Sequence, residues 1–144
     1  TLTEEDVYVS ALLSSAEMLR SGTTTFCEAS GEHPDAIAQA VIDTGLRGTV
    51  CLSTMDIPGE IPPELQMDTE TAIRRNIEVV EKWKGSHPRI DACFNILNLF
   101  LSSRELWTEL TSLARESERD CHRQLPTCFL GRLFGMPGAQ VKVG

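Results

Sequence analysis

The sequence predicts an α/β protein of repeated βα units, with three parallel strands and four helices. Apolar residues recur at helical spacing in four separate segments of the chain. A short run rich in β-branched or apolar residues follows each of the first three segments. Because alternating helices and strands imply parallel pairing through right-handed crossovers, we expect the three strands to lie side by side in chain order.

The first helix and the first strand open the chain. Thr3 is a suitable N-cap, and the acids after it suit the positive end of the helix dipole. The helical pattern continues to Arg20, and Gly22 suits the left-handed position that ends a helix. The run Thr23–Cys27 then predicts a strand, and Glu28 stands at its carboxyl end.

The second helix and the second strand follow a loop that contains glycine and proline. The spacing of apolar residues predicts a helix over Asp35–Thr44, which Gly45 ends. Leu46–Ser53 is mostly apolar, as is typical of a buried parallel strand. Asp56 follows this strand, ahead of a loop rich in proline and glycine.

The last predicted unit combines a helix, a strand and a further helix. Apolar residues along one face predict a helix over Thr69–Lys84, and Arg89–Leu97 predicts the third strand. Ser102 or Ser103 is then suited to cap the fourth helix. Three such strands cannot close a barrel, and in an open sheet both edges stay exposed.

Composition excludes several classes of protein. The net charge of −8 argues against a nucleic acid or an anionic membrane as partner. No apolar run approaches the roughly 18 residues of a membrane span. The five cysteines are odd in number and lack CxxC pairs, which favours reduced thiols and a cytoplasmic protein. Because the chain starts at Thr1, an upstream targeting segment cannot be judged.

The composition changes near residue 120. All 21 acidic residues lie at or before Asp120, whereas residues 121–144 carry three basic residues and no acid. The stretch QLPTCFLGRLFGMPGAQVKVG also lacks a helical or strand period. We therefore expect a domain over residues 1–120 and an irregular basic tail over 121–144. A truncation, a read-through intron or a shifted reading frame would each produce such a tail.

Three stretches carry a resemblance to a known family. LTEEDVYVSALLSSAEMLRSGTTTF, AQAVIDTGLRGTV and the segment from Arg89 to Leu106 resemble the amidohydrolase superfamily. The branch is that of the guanine, cytosine and methylthioadenosine/adenosylhomocysteine deaminases, with the triazine hydrolases. This resemblance covers residues 1 to about 116 and implies a partial (β/α)8 (TIM) barrel. The segment would run from the helix after barrel strand 1 to the helix after strand 4.

The resemblance implies a parent enzyme that hydrolyses non-peptide C–N bonds. Such an enzyme activates water on Zn²⁺ or Fe²⁺ and displaces ammonia, or another leaving group, from a small heterocyclic substrate. The family's metal-binding HxH pair and its later His and Asp ligands match no residue here, and a catalytic metal needs about three protein ligands. We therefore expect no metal ligand, no cofactor and no catalytic residue in this chain.

Two interpretations follow. In the first, the chain is a piece of a probable heterocycle deaminase and is inactive alone. In the second, it is a non-enzymatic product that at most associates with a full-length subunit. A homo-oligomer is compatible with both. An adenosine-like substrate is disfavoured, because Leu52 and Leu97 stand where such enzymes place an Arg after strand 3 and a His after strand 4.

Four polar residues are the candidates for substrate binding: Glu28, Asp56, Asn95 and Asn98. Each lies at or beyond the carboxyl end of a predicted strand, where α/β barrels collect their chemistry. Each also has a structural alternative. Glu28 suits a surface or helix-dipole carboxylate, Asp56 an Asx-turn, and the two asparagines the hydrogen bonds of a turn.

The cysteines are expected to be structural. Cys27, Cys51 and Cys93 fall on predicted strands, where small buried hydrophobic residues are expected. Cys121 and Cys128 flank a histidine, but their spacing fits no common zinc site.

Overall fold

The structure, a computed structural model, describes residues 2–29, 31–59, 66–98 and 100–120. The predicted tail, residues 121–144, lies outside this part of the chain. The described helices are α1 (Glu4–Arg20), α2 (Pro34–Thr44), α3 (Thr69–Trp83) and α4 (Arg104–Asp120). The strands are β1 (Thr25–Cys27), β2 (Arg47–Val50) and β3 (Ile90–Ala92).

The three strands form one parallel sheet in the order β1-β2-β3, which confirms the predicted topology. Cys27 pairs with Thr49, and Thr49 pairs with Asp91. All three strands are shorter than predicted. The apolar residues beyond β2, such as Leu52, are buried by packing rather than by strand pairing. Burial and strand pairing leave the same apolar pattern in a sequence, so the predicted strand ends were wrong.

The predicted helix ends are confirmed by their hydrogen bonds. Thr3 and Asp6 form a capping box at the start of α1. Gly22 and Gly45 follow α1 and α2 with φ of 84° and 78°, a conformation that favours glycine. At α4, the Ser103 Oγ accepts a hydrogen bond from the Leu106 N–H at 3.1 Å, so Ser103 is the cap.

Helices cover one face of the sheet. Val50, Ile90 and Ala92 point toward α2 and α3 and belong to the main core, which also contains Ile37 and Val41. A second cluster, between α3, α4 and the segment after β3, contains Ala72, Ile96, Leu106 and Leu110. Side chains alternate along a strand, so the neighbouring residues point to the opposite face.

That opposite face is polar and partly open. It carries Cys27, Thr49 and Asp91, of which Cys27 is exposed and the other two are half-buried. The expectation that Cys27 is a buried hydrophobic residue was therefore wrong, because its position in β1 faces away from the helices. Cys51 is fully buried, as predicted, and Cys93 is half-buried.

Helix α1 packs mainly against α2. Its Val7, Ala11 and Met18 reach the main core, and the Tyr8 hydroxyl donates to Asp43 on α2 at 2.7 Å. Other apolar residues of α1 remain exposed, among them Val9 and Leu13. None of the helices in the described ranges is long and apolar enough to cross a membrane.

Candidate functional site

The four predicted site residues follow the carboxyl ends of neighbouring parallel strands and so lie along one edge of the sheet. We call this edge the rim. Glu28 directly follows β1, and its N–H donates to the Thr49 carbonyl at 2.9 Å. Asp56 lies in the segment after β2, and Asn95 and Asn98 lie in the segment after β3. Parallel strand order therefore brings residues far apart in sequence to the same edge.

Asn95 joins the segments that follow all three strands. Its Nδ2 donates to the Ala29 carbonyl at 3.0 Å and to the Ser53 Oγ at 2.8 Å. The Ser53 hydroxyl itself donates to the Ala29 carbonyl at 3.0 Å. Both N–H donors of the Asn95 amide thus have partners, and these contacts fix the plane of the amide. Within the described ranges, no donor reaches its Oδ1.

Asn76 on α3 was not among the residues predicted from the sequence. Its side chain holds the backbone of Asn95 by hydrogen bonds. It is 1% exposed, and its Oδ1 accepts the Asn95 backbone N–H at 3.0 Å. Its Nδ2 donates to the buried Thr54 hydroxyl at 2.9 Å, and Thr54 donates to the Asn95 carbonyl at 3.2 Å. The spacing of four between Ala72, Asn76 and Val80 was a signal in the sequence that they share one helix face, and the structure buries all three.

Asp56 accepts hydrogen bonds from two directions. The Ser103 N–H donates to Oδ1 at 2.6 Å, and the hydroxyls of Ser103 and Thr69 donate to Oδ2 at 2.5 and 2.7 Å. Partial burial raises the pKa of Asp56, but these donors outweigh it and hold the pKa below its ordinary value. The carboxylate thus joins the starts of α3 and α4 to the segment after β2.

Asn98 organises its own loop. Its Oδ1 accepts the backbone N–H groups of Phe100 at 3.0 Å and Leu101 at 2.9 Å, as in an Asx-turn. The Leu101 carbonyl in turn accepts the backbone N–H of Asp56 at 3.1 Å. Asn98 therefore links the segments after β2 and β3 through the backbone.

Glu28 is half-buried at the end of β1. Its Oε1 accepts the Ala29 N–H at 3.1 Å, and its carbonyl accepts the Cys51 thiol at 3.0 Å. The side chain therefore lies close to its own backbone at the edge that Asn95 shares.

The Cys27 thiol lies on the open face of the sheet, and its pKa is raised above the ordinary value. A hydrogen bond with Cys93 is the largest cause that raises the pKa of Cys27, and partial burial adds to it. The carboxylates of Glu28 and Asp91 act in the same direction. Cys27 is therefore a protonated thiol at neutral pH.

The described residues do not offer a metal centre of the family's kind. No group of three or more His, Cys, Asp or Glu side chains in this part of the chain is placed to hold an ion. The four predicted rim residues include two amides, whose neutral oxygens are weak ligands for zinc.

Comparison with known proteins identifies the family. Residues 1–92 match the amidohydrolase family. Over 118 residues the chain is 36% identical to 5-methylthioadenosine/S-adenosylhomocysteine deaminase of Thermococcus kodakarensis, covering 82% of this chain and 26% of the relative. A 5′-deoxyadenosine deaminase of Methanococcus vannielii is 31% identical over 121 residues, covering 84% and 27%. The chain thus spans about a quarter of the length of these curated relatives.

Solved structures show the same fold. Guanine deaminase from C. acetobutylicum with bound guanine superposes with a TM-score of 0.71 at 18% identity, covering 81% of this chain and 28% of that one. Atrazine chlorohydrolase from Arthrobacter aurescens, complexed with zinc, gives 0.67 at 18% identity, covering 78% and 28%. The predicted fold class is confirmed: the chain has the fold of part of an amidohydrolase (β/α)8 barrel.

Proposed function

Because this chain belongs to the amidohydrolase family, we propose that it supplies part of the substrate-facing rim of a heterocycle deaminase. In such a hydrolysis, a water oxygen bonds to the ring carbon that carries the amino group, and the C–N bond breaks to release ammonia. The relatives named as deaminases support this reaction class. The observation that carries the proposal is the Asn95 amide, fixed at the rim with its carbonyl oxygen open.

The proposed role of Asn95 is to accept a ring N–H of the substrate at Oδ1. Its two donors hold the amide plane, so little side-chain entropy is lost when the substrate binds. The Glu28 carboxylate follows β1 on the same rim, two strands from β3, and is proposed as a second acceptor. Purine and pyrimidine bases carry N–H donors that suit such a pair.

Asp56 and Asn98 have a different proposed part in substrate binding. Both acceptor oxygens of Asp56 are already used by Ser103 and Thr69. The Asn98 Oδ1 is used by the backbone of its own loop. We propose that they maintain the shape of the substrate-binding rim, because they hold the segments after β2 and β3 in place.

The expected substrate is a heterocyclic base rather than a nucleoside. Leu52 is buried and Leu97 is 38% exposed, and neither apolar side chain can replace the Arg and the His that enzymes acting on adenosine-like substrates place there. A deaminase of this family uses zinc or iron, which activates the attacking water. The described residues contain no ligand set for that ion. We expect no metal-dependent turnover by the chain alone.

The second candidate function is association with a full-length subunit. In the described sheet, β1 and β3 each have one unpaired edge. The apolar residues Val9, Leu13 and Leu19 of α1 are 57%, 65% and 44% exposed. Open strand edges and exposed apolar helix residues both favour pairing with another chain, a second copy included. The net charge of −8 argues against nucleic acid and anionic membrane as partners, and reduced thiols suit the cytoplasm.

A chimera tests the enzymatic proposal. The 118 matched residues would replace the corresponding segment of the Thermococcus kodakarensis relative. Ammonia release would then be measured with guanine, cytosine and methylthioadenosine. We expect activity on a free base that Asn95→Ala reduces by a higher KM, because a substrate hydrogen bond is lost. A folded chimera with unchanged kinetics in Asn95→Ala would refute the role of Asn95.

Two assays on the isolated chain distinguish the two proposed functions. Ammonia release with added Zn²⁺ or Fe²⁺ is expected to stay at the level of the chelator control. Sedimentation with the full-length relative then tests association. Leu13→Glu places a charge among the exposed apolar residues of α1 and is the variant expected to disrupt the complex. A complex that Leu13→Glu abolishes supports the second function. Free sedimentation of both proteins argues against it.

A further inference from the structure

Helix α1 carries apolar residues on two opposite sides. On its inner side, Val7, Ala11 and Met18 pack against the main core. At 3.6 residues per turn, Val9 and Leu13 point away from that core, and both side chains are largely exposed. A helix that buries only one side carries polar residues on the other, so an apolar outer side indicates a second partner.

The sheet does not account for this outer side. The inner side of α1 is the one that meets α2 and the core above the strands. Further strands of a barrel would extend the sheet layer from the open edge of β1, and so would meet the inner side of the helix. The outer side of α1 would stay uncovered by them.

The outer side forms a stripe with opposite charges at its two ends. It runs from Glu5 through Val9, Leu13 and Ala16 to Arg20, at spacings of three or four residues, and all five are exposed. Among the described residues, neither Glu5 nor Arg20 has an ion-pair partner. We call these five residues the α1 stripe. It is negative at its start, apolar in the middle and positive at its end.

We propose that the α1 stripe binds the α1 stripe of a second copy of this chain, with the two helices antiparallel; this rests on association being the second proposed function. An alignment centred between residues 12 and 13 places Glu5 opposite Arg20 of the second copy. It also places Val9 opposite the small Ala16, and Leu13 next to the two-fold axis. Each contact forms twice, so the contact closes at a dimer. A parallel alignment would bring like charges together.

Sedimentation equilibrium of the full chain, under reducing conditions and over a series of concentrations, tests this pairing. The stripe is only about 22 Å long, so we expect a dimer that dissociates at micromolar or higher concentrations. Leu13→Glu should weaken the dimer by more than about 100-fold, because both copies lose a buried leucine. Ser14→Glu adds the same charge on another side of α1 and is the matched control. A monomer up to about 1 mM, or an equal loss in Ser14→Glu, would overturn the proposal.

A charge exchange tests the antiparallel direction. Glu5→Arg and Arg20→Glu should each weaken the dimer by about 2–30-fold, the factor that two exposed ion pairs per dimer contribute. The double variant should recover the affinity of the unchanged chain. Both changes oppose the helix dipole, so a loss caused only by a weaker helix would be largest in the double variant. A double variant that dimerises no better than the single variants argues against the antiparallel pairing.

The outcomes distinguish this surface from the proposed functions. A dimer that Leu13→Glu and the charge changes leave intact would overturn pairing through the α1 stripe, and association through the strand edges would still stand. A chain that binds the full-length relative but remains a monomer alone would do the same. The chimera assay with Asn95→Ala measures substrate binding at the rim, so its result does not depend on the α1 stripe.

Discussion

Asn76→Ala is the substitution expected to reveal how the rim is built. Asn76 is buried on α3 and contacts the segments after β2 and β3 through Thr54 and Asn95. Truncation to alanine removes both contacts and leaves the helix itself intact. We therefore expect a loss of stability together with local loosening at the Asn95 backbone.

The magnitude follows from the hydrogen bonds. The Asn95 N–H loses its acceptor, which costs about 1–3 kcal/mol where water does not replace it. The lost bond to Thr54 adds about 0.5–1.5 kcal/mol. Alanine has a higher helix propensity than asparagine, and this restores up to about 0.7 kcal/mol of stability. The free energy of unfolding should thus fall by about 1–4 kcal/mol.

Urea unfolding, followed by far-UV circular dichroism, measures this change. Glu78→Ala on the same helix is the matched control. Its ion pair with Arg74 is 57% and 61% exposed, and such surface pairs contribute about 0.5 kcal/mol or less. Amide exchange at Asn95 should accelerate in Asn76→Ala alone. If Asn76→Ala changed stability no more than Glu78→Ala, or left Asn95 exchange unchanged, the buried network would not hold the rim.

Three further predictions concern the same structure. Asp56→Asn should lessen the loss of stability in acid, measured by thermal unfolding from pH 6 to pH 2. The folded-state pKa of Asp56 is lowered, so its contribution is complete above the unfolded-state value of 3.8 and is lost as pH falls through the folded pKa. Gly48→Ala should cost about 1–3 kcal/mol in urea, because a Cβ would lie 3.2 Å from Phe26 and Val41 atoms, and a cost below that of Glu78→Ala would contradict the packing. Asp35→Ala should shift the emission of Trp83, whose Nε1 donates to Asp35 at 2.6 Å, whereas Glu78→Ala on the same helix should not.

The architecture was largely predictable because helix and strand periods are local properties. Thr3, Gly22 and Gly45 mark helix ends through backbone chemistry that involves only neighbouring residues. The strand ends were not predictable in the same way. Leu52 and Ile96 are as apolar as the strand residues, yet helices and loops bury them beyond the strands.

The candidate site shows the same division between local and distant causes. That Glu28, Asp56, Asn95 and Asn98 follow strand ends can be read from the chain. Their hydrogen-bond partners cannot, since Asp56 meets Ser103 across 47 positions and Asn95 meets Ala29 across 66. Contact of these four residues with a substrate stays a prediction.

By itself, the sequence determined the order of helices and strands, the parallel sheet and the amidohydrolase family, because each depends on short segments and on chain direction. Only the tertiary structure decided that Asn76 supports Asn95, that Asp56 serves the starts of two helices, and that Cys27 is exposed on the open face of the sheet. These facts depend on which side chains meet when three strands align. Because these contacts join residues far apart in the chain and depend on packing over the whole sheet, no short segment of the sequence predicts them.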